Sequence, residues 1–229
     1  MSIASEWNID QKKMNELIKK ENTFEAGKKL FMALHASVHF SVQSGLTILD
    51  KLWDGLEKSA LGIMPTEKDV TIAWNIWHIT RIEDLTANIL ISAGEQVLNG
   101  QWLKKIGTSV TDTGNAMTDE QIISFSREID PCGLRDYRIA VGERTKSILS
   151  RLDFMDMKRT VDKKAVAQIR RIGGVIEHPD SIWLLDFWSK KNISGIIKMP
   201  LTRHQIVHIN DSLRLKDAIS KKRFFIFHD

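Results

Sequence analysis

From about Phe24 to Leu56 the apolar positions recur at helical spacing. Phe31, His35, Val38, Val42, Leu49, Trp53 and Leu56 fall on one stripe at about 3.6 residues per turn. GIMPTEKD at 62–69 supplies the stop, so the pattern predicts a first long helix. A second is predicted after Pro65, with Thr66 as its cap and Asp69 three residues on, running to about Val97. Thr71, Trp74, His78, Ile82, Leu85 and Ile89 share one face of it, while Ile72, Ile76 and Ile79 make the opposite side apolar too. A helix apolar nearly all round belongs in an interior.

Residues 99–116, NGQWLKKIGTSVTDTGNA, are rich in Gly, Asn and Thr and read as a loop long enough to be functional. MTDEQIISFSREI then predicts a short helix capped by Thr118, and LRDYRIAVGERTKSILSRL a longer one. KKAVAQIRRIGG reads as helical, and SIWLLDFWSKKNISGII as a helix rather than a buried strand. The last long helix begins after MPLT and covers His204 to about Ser220. Two-residue alternation and Asn-Gly hairpins are absent. The expectation is an all-α bundle: four long helices, with extra helices inserted before the last. It forms one domain over 1–229 with its core at about 24–220.

Composition narrows the function classes. The 229 residues are 42% hydrophobic and 27% charged, as in an ordinary globular protein, and 4 Pro with 13 Gly leave room for long helices. The net charge of +4 arises from 33 basic and 29 acidic residues that interleave, too small an excess for a nucleic-acid track. The basic groups at 158–164, 170–171 and 221–223 read as solvated faces. No membrane span is expected, and MSIASEWNIDQKK lacks the layout of a signal peptide, which makes the cytoplasm the default. The closing FFIFHD is apolar and packs either onto the body or onto a second subunit, as in a homodimer. Cys132 is the lone cysteine, so neither an intramolecular disulfide nor a cysteine-rich zinc ribbon is available. It lies in DPCGL without a base beside it in sequence and reads as an unreactive thiol.

Seven histidines remain as candidate chemistry, and two pairs, His35/His39 and His204/His208, have i, i+4 spacing. Such residues are neighbours on one helix face and can converge on one ion at about 2.0–2.1 Å each. His78, flanked by Trp74 and Ile82 on its stripe, can supply a third ligand from a facing helix. Three neutral imidazoles would leave a coordination position open, the arrangement associated with catalytic sites. Spacing by itself also fits partly exposed pairs and a hydrogen-bonded core histidine. His35 lies at the centre of its apolar stripe and His39 toward the edge. Each reads as a core or rim residue, or His35 lines the cavity beside the metal. Arg81, one turn after His78, either meets an anionic group or pairs with Glu83, Asp84 or another helix, and Asp211 either orients a ligand or faces water. Trp74 and Trp77 are the aromatics nearest the presumed site.

AWNIWHITRIEDLTANIL at 73–90 and RHQIVHINDSLRLKDAI at 203–219 resemble the second and fourth helices of the DinB/YfiT-like superfamily of metalloenzymes. LHAS around His35, DGLEKSALGIMPTEKD and TDTGNAM at 111–117 also resemble a bacterial branch of it, so the likeness touches most of the chain from about 30 to 220. The resemblance implies a four-helix bundle of that type, with one divalent ion (Zn, Ni, Fe or Mn) on His78, His204 and His208. It also implies thiol-dependent chemistry, in which a low-molecular-weight thiol is transferred to an electrophilic substrate. The competing expectations are metal-assisted hydrolysis, with Asp211, Glu83 or His35 as acid or base, and a non-catalytic stress-related binding role.

Overall fold

A computed structural model of the chain describes residues 3–41 and 46–226. Val42 and the 222–229 tail side chains, His228 included, lie outside the described residues. The chain opens with α1, Ile3–Leu17, a helix the sequence pattern did not announce. Its Trp7 and Met14, with Ile18 just beyond it, are buried, and Trp7 Nε1 donates to Ser37 Oγ at 3.1 Å on the next helix. The core therefore extends N-terminal of residue 24.

The predicted first long helix is two helices. α2, Phe24–Ser37, stops at Val38, whose carbonyl accepts from Arg138 Nη2 at 2.9 Å. Helical structure resumes as α3, Ile48–Trp53, under a reciprocal capping box between Thr47 and Asp50. The stripe looked continuous because Leu49, beyond the break, is buried like Phe31, His35 and Val38 before it. Short α4, Lys58–Leu61, follows.

Every residue of α5, Ile72–Glu83, is buried, as its all-round apolar pattern requires. Its cap is Thr71, which accepts from Trp74 N at 3.0 Å. Thr66 instead bonds the Asp69 side chain at 2.7 Å in a preceding turn. Beyond Glu83 the helix widens to π geometry over Asp84–Ile91 and ends there, short of Val97. The first half of the predicted loop is α6, Gly100–Ile106, capped by the Asn99 side chain and closed by Gly107 in the left-handed region.

α7, Asp119–Glu128, starts at Thr118 as predicted, with Gln121 completing a capping box. α8, Pro131–Ser150, is capped by Asp130 with Pro131 in its first turn. α9, Lys163–Arg171, α10, Pro179–Ser189, and α11, Ile193–Lys198, are the inserted helices. A π turn at Met199–Arg203 leads into α12, His204–Ile226. Among the described residues there is no strand, only one isolated bridge between Thr160 and Asn192.

α5 is the central element, packed on α8 and α12, while α2 packs on α1 and α8. The buried hydrophobic residues join into one cluster from Trp7 to Ile219. No described helix is long and apolar enough to cross a membrane.

Candidate metal centre

His78 lies mid-way along α5, and His204 and His208 occupy successive turns of α12. Gln205, fully buried between the pair, registers one helix against the other. Its amide donates to Ile79 O at 3.1 Å and to Pro200 O at 2.9 Å, inside the π turn. The rings of His78, His204 and His208 consequently lie 4.6 to 5.0 Å apart, inclined to one another by 60° to 64°. One ring nitrogen from each lies within 4.8 Å of the others.

Hydrogen bonds on the far side of two rings set their tautomers. His78 Nδ1 donates to Thr113 O at 2.8 Å, and His208 Nδ1 donates to Asn75 Oδ1 at 2.8 Å. Nε2 is then the lone-pair nitrogen of both rings, and His78 Nε2 lies 3.1 Å from His204 Nε2. Burial, aided by His208, pushes His78 down to about 3, and burial takes His208 down to about 4 against the pull of Asp211. Burial and then the other two histidines hold His204 well below the ordinary imidazole range. Burial favours the neutral form of all three rings at pH 7, and His78 and His208 present oriented Nε2 lone pairs. This donor set suits a borderline divalent ion, and the partners behind the rings are those that metal-bound histidines use.

Two of those partners were not read from the sequence. Thr113 contributes only a backbone carbonyl, which no residue type announces. Asn75 lies one turn before His78, fully buried, and its Nδ2 donates to Asp211 Oδ2 at 3.2 Å. Asp211 thus reaches His208 through Asn75 rather than directly, while its other oxygen accepts from Arg214. Trp74 stacks on His78 at 4.5 Å with planes 8° apart.

The segment after α6 is strapped along α5 by its backbone. Thr111, Asp112, Thr113 and Gly114 each offer a carbonyl, to Arg81, Trp77, His78 and Trp74 respectively. Gly114 has φ +76°, and a Cβ there would come within 2.7 Å of Trp74 Nε1. Only glycine suits both demands.

Arg81 is spent on structure. Fully buried, it bonds Asp84 and Tyr137 at 2.9 Å each, Gln96 at 2.9 Å and Thr111 O, so it does not face the three histidines. His35 belongs to a second group, with His39, Glu83 and Arg138. His35 Nε2 lies 2.8 Å from Glu83 Oε1, while His39 Nε2 and Arg138 Nη1 each lie 3.0 Å from Oε2. These three ligating side chains could also surround an ion, but Arg138 already supplies the positive charge that Glu83 needs. Burial alone would push the Glu83 carboxyl up, yet His39, Arg138 and His35 hold it well below the carboxylate range. Burial and Arg138 push His39 down to about 3. We read the group as a Glu83–Arg138 ion pair with imidazole donors, a structural network joining α2, α5 and α8. Cys132 is exposed and free.

No protein-family model matches the chain, and no curated protein matches it at a significant level. A crystal structure described as a conserved protein from Enterococcus faecalis has a similar fold, with a TM-score of 0.57 at 14% sequence identity. The match covers 85% of this chain and 97% of that one. At that identity the likeness concerns the fold.

Proposed function

We propose that this chain is a DinB-type four-helix bundle and a metal-dependent transferase acting on a small thiol, with one divalent ion held by His78, His204 and His208. The observation that carries this reading is the set of three neutral imidazoles on facing helices, two of them oriented from behind by Thr113 and Asn75. No carboxylate or thiol joins the group among the described residues, which leaves a position for an exchangeable ligand. The order of ligands, one mid-helix and an i, i+4 pair on the last long helix, is the order the superfamily resemblance implies.

A bound divalent ion would lower the pKa of a thiol and make a nucleophile at neutral pH. The chain's own residues would do the rest. Trp74 fixes the plane of His78, and Gln205 fixes the register of α12. Hydrolysis is the second reading, and it needs an acid or base. Glu83 and His35 are bonded to each other, and Asp211 is bonded to Asn75 and Arg214, which favours the thiol reading. The acceptor would be a small electrophile.

Metal analysis of untagged protein purified without added metal should find about one ion per chain. In cobalt-substituted protein a small thiol should produce a sulfur-to-metal charge-transfer band, absent in His208→Ala. Thiol consumption with an electrophile should then require the metal. A metal-replete protein whose spectrum ignores every thiol tried would reject the transferase reading in favour of hydrolysis, and a metal-free protein would leave the non-catalytic one.

A further inference from the structure

A cavity of about 170 Å³ is lined by His78, Ile82 and His204, and by a wall of Trp183, Phe187 and Trp188. No charged side chain lines it. From this we infer that the pocket is a recognition site for a single neutral aromatic ring, carried by a substrate whose polar end lies at the three histidines. The assignment of that polar end rests on the metal reading above; the assignment of the ring does not.

Size argues first. An apolar cavity of roughly 150 Å³ accommodates benzene, and this one is of that order. The wall argues next. It belongs to α10, whose Leu184 and Trp188 are buried in the core, so the aromatic surface is anchored on a rigid element. Trp183 and Phe187 meet edge to face, with centroids 6.0 Å apart, the geometry aromatic clusters extend by adding another ring. Trp183 is nevertheless 49% exposed and Met199, also lining the cavity, 39% exposed. Large apolar groups are left in water at the mouth of a cavity whose floor is polar.

Asn115 supplies direction. Its Oδ1 accepts from Thr113 Oγ1 at 2.7 Å, and its Nδ2 has no hydrogen-bond partner among the described residues. Asn115 lines the cavity beside His78, and its free N–H pair is a donor that a ligand carbonyl oxygen would use. The substrate class is therefore a small, uncharged aromatic carbonyl compound or a close isostere.

Fluorine NMR of fluorobenzene with metal-free protein tests the ring site alone. Saturable binding is expected, weakened in Trp183→Ala, whose exposed side chain can be removed with the fold intact, and lost in Phe187→Ala. On cobalt-loaded protein, benzohydroxamate should bind at least about tenfold more tightly than acetohydroxamate, since only one carries a ring to bury, and Phe187→Ala should erase the difference. Equal affinity of the two hydroxamates in a metal-loaded protein would overturn the inference and leave the metal reading standing. Fluorobenzene binding in a chain that takes up no metal would do the reverse. A stable dimer that dissociates on Trp183→Asp, with no fluorobenzene binding to either form, would assign the patch to a second copy of the chain and overturn the inference.

Discussion

Asn75 carries no charge and appears in no metal-ligand motif, yet it stands between His208 and Asp211 with both ends of its amide engaged. Its oxygen obliges His208 to protonate Nδ1 and thereby frees Nε2. An imidazole in the other tautomer would turn an N–H toward the place where His78 and His204 converge. Asn75→Ala should therefore weaken divalent-metal binding about 10- to 100-fold, the usual cost of losing a partner behind a ligand, while the circular dichroism spectrum stays helical. Competition with a chelating dye measures the loss. Asp211→Asn should cost less, because it acts one bond further out. An Asn75→Ala protein with wild-type affinity would show that the ring orientation comes from packing alone.

The strap that follows α6 shows how one element places another. Four consecutive carbonyls on α5 side chains amount to a backbone-defined groove, and the Gly114 turn lets the chain pass under the Trp74 ring. Gly114→Ala should cost about 1–3 kcal/mol in stability, read from urea unfolding, since alanine is strained at that φ and its methyl meets the indole. Metal affinity should fall with it, because Thr113 O moves away from His78. Stability lost with affinity unchanged would separate the strap from the site.

At this scale the sequence was partly legible. The existence and type of α5, α7, α8 and α12 follow from apolar periodicity and capping residues, and the i, i+4 spacing of His204 and His208 is visible by inspection. The break of α2 is not, because the group that takes the Val38 carbonyl is Arg138, far along the chain. α6 escaped because seven residues that open on Gly100 and stop at Gly107 carry too little periodicity. The start of α5 was misplaced because Thr66 and Thr71 both offer a hydroxyl, and only packing chooses between them. The Thr113 carbonyl leaves no trace in residue type at all.

Across the whole molecule, the Glu83 network is where three helices share one desolvated charge. Glu83 on α5 is met by His35 at the end of α2, His39 just beyond it and Arg138 on α8, all buried. His39 titrates in the folded protein at about 3, against an ordinary value of 6.5, so its folded pKa is depressed. Above pH 6.5 both folded and unfolded chains hold it neutral, and it adds no pH dependence. As pH falls from 6.5 toward 3 the unfolded chain takes up a proton that the folded one refuses. Stability is therefore present above 6.5 and lost on acidification, with a slope approaching about 1.4 kcal/mol per pH unit for this one group. Urea midpoints of metal-free protein between pH 6.5 and 5, above the carboxylate range, should fall steadily. The three histidines of the candidate centre contribute with the same sign, so the variant isolates the share of His39. His39→Gln retains a donor toward Glu83 but cannot titrate, and it should flatten the slope by that amount, so that its difference from the wild type changes steadily between pH 6.5 and 5. An unchanged slope in His39→Gln would mean that His39 is already protonated in the fold, and that Glu83 shares its charge between two cations rather than one.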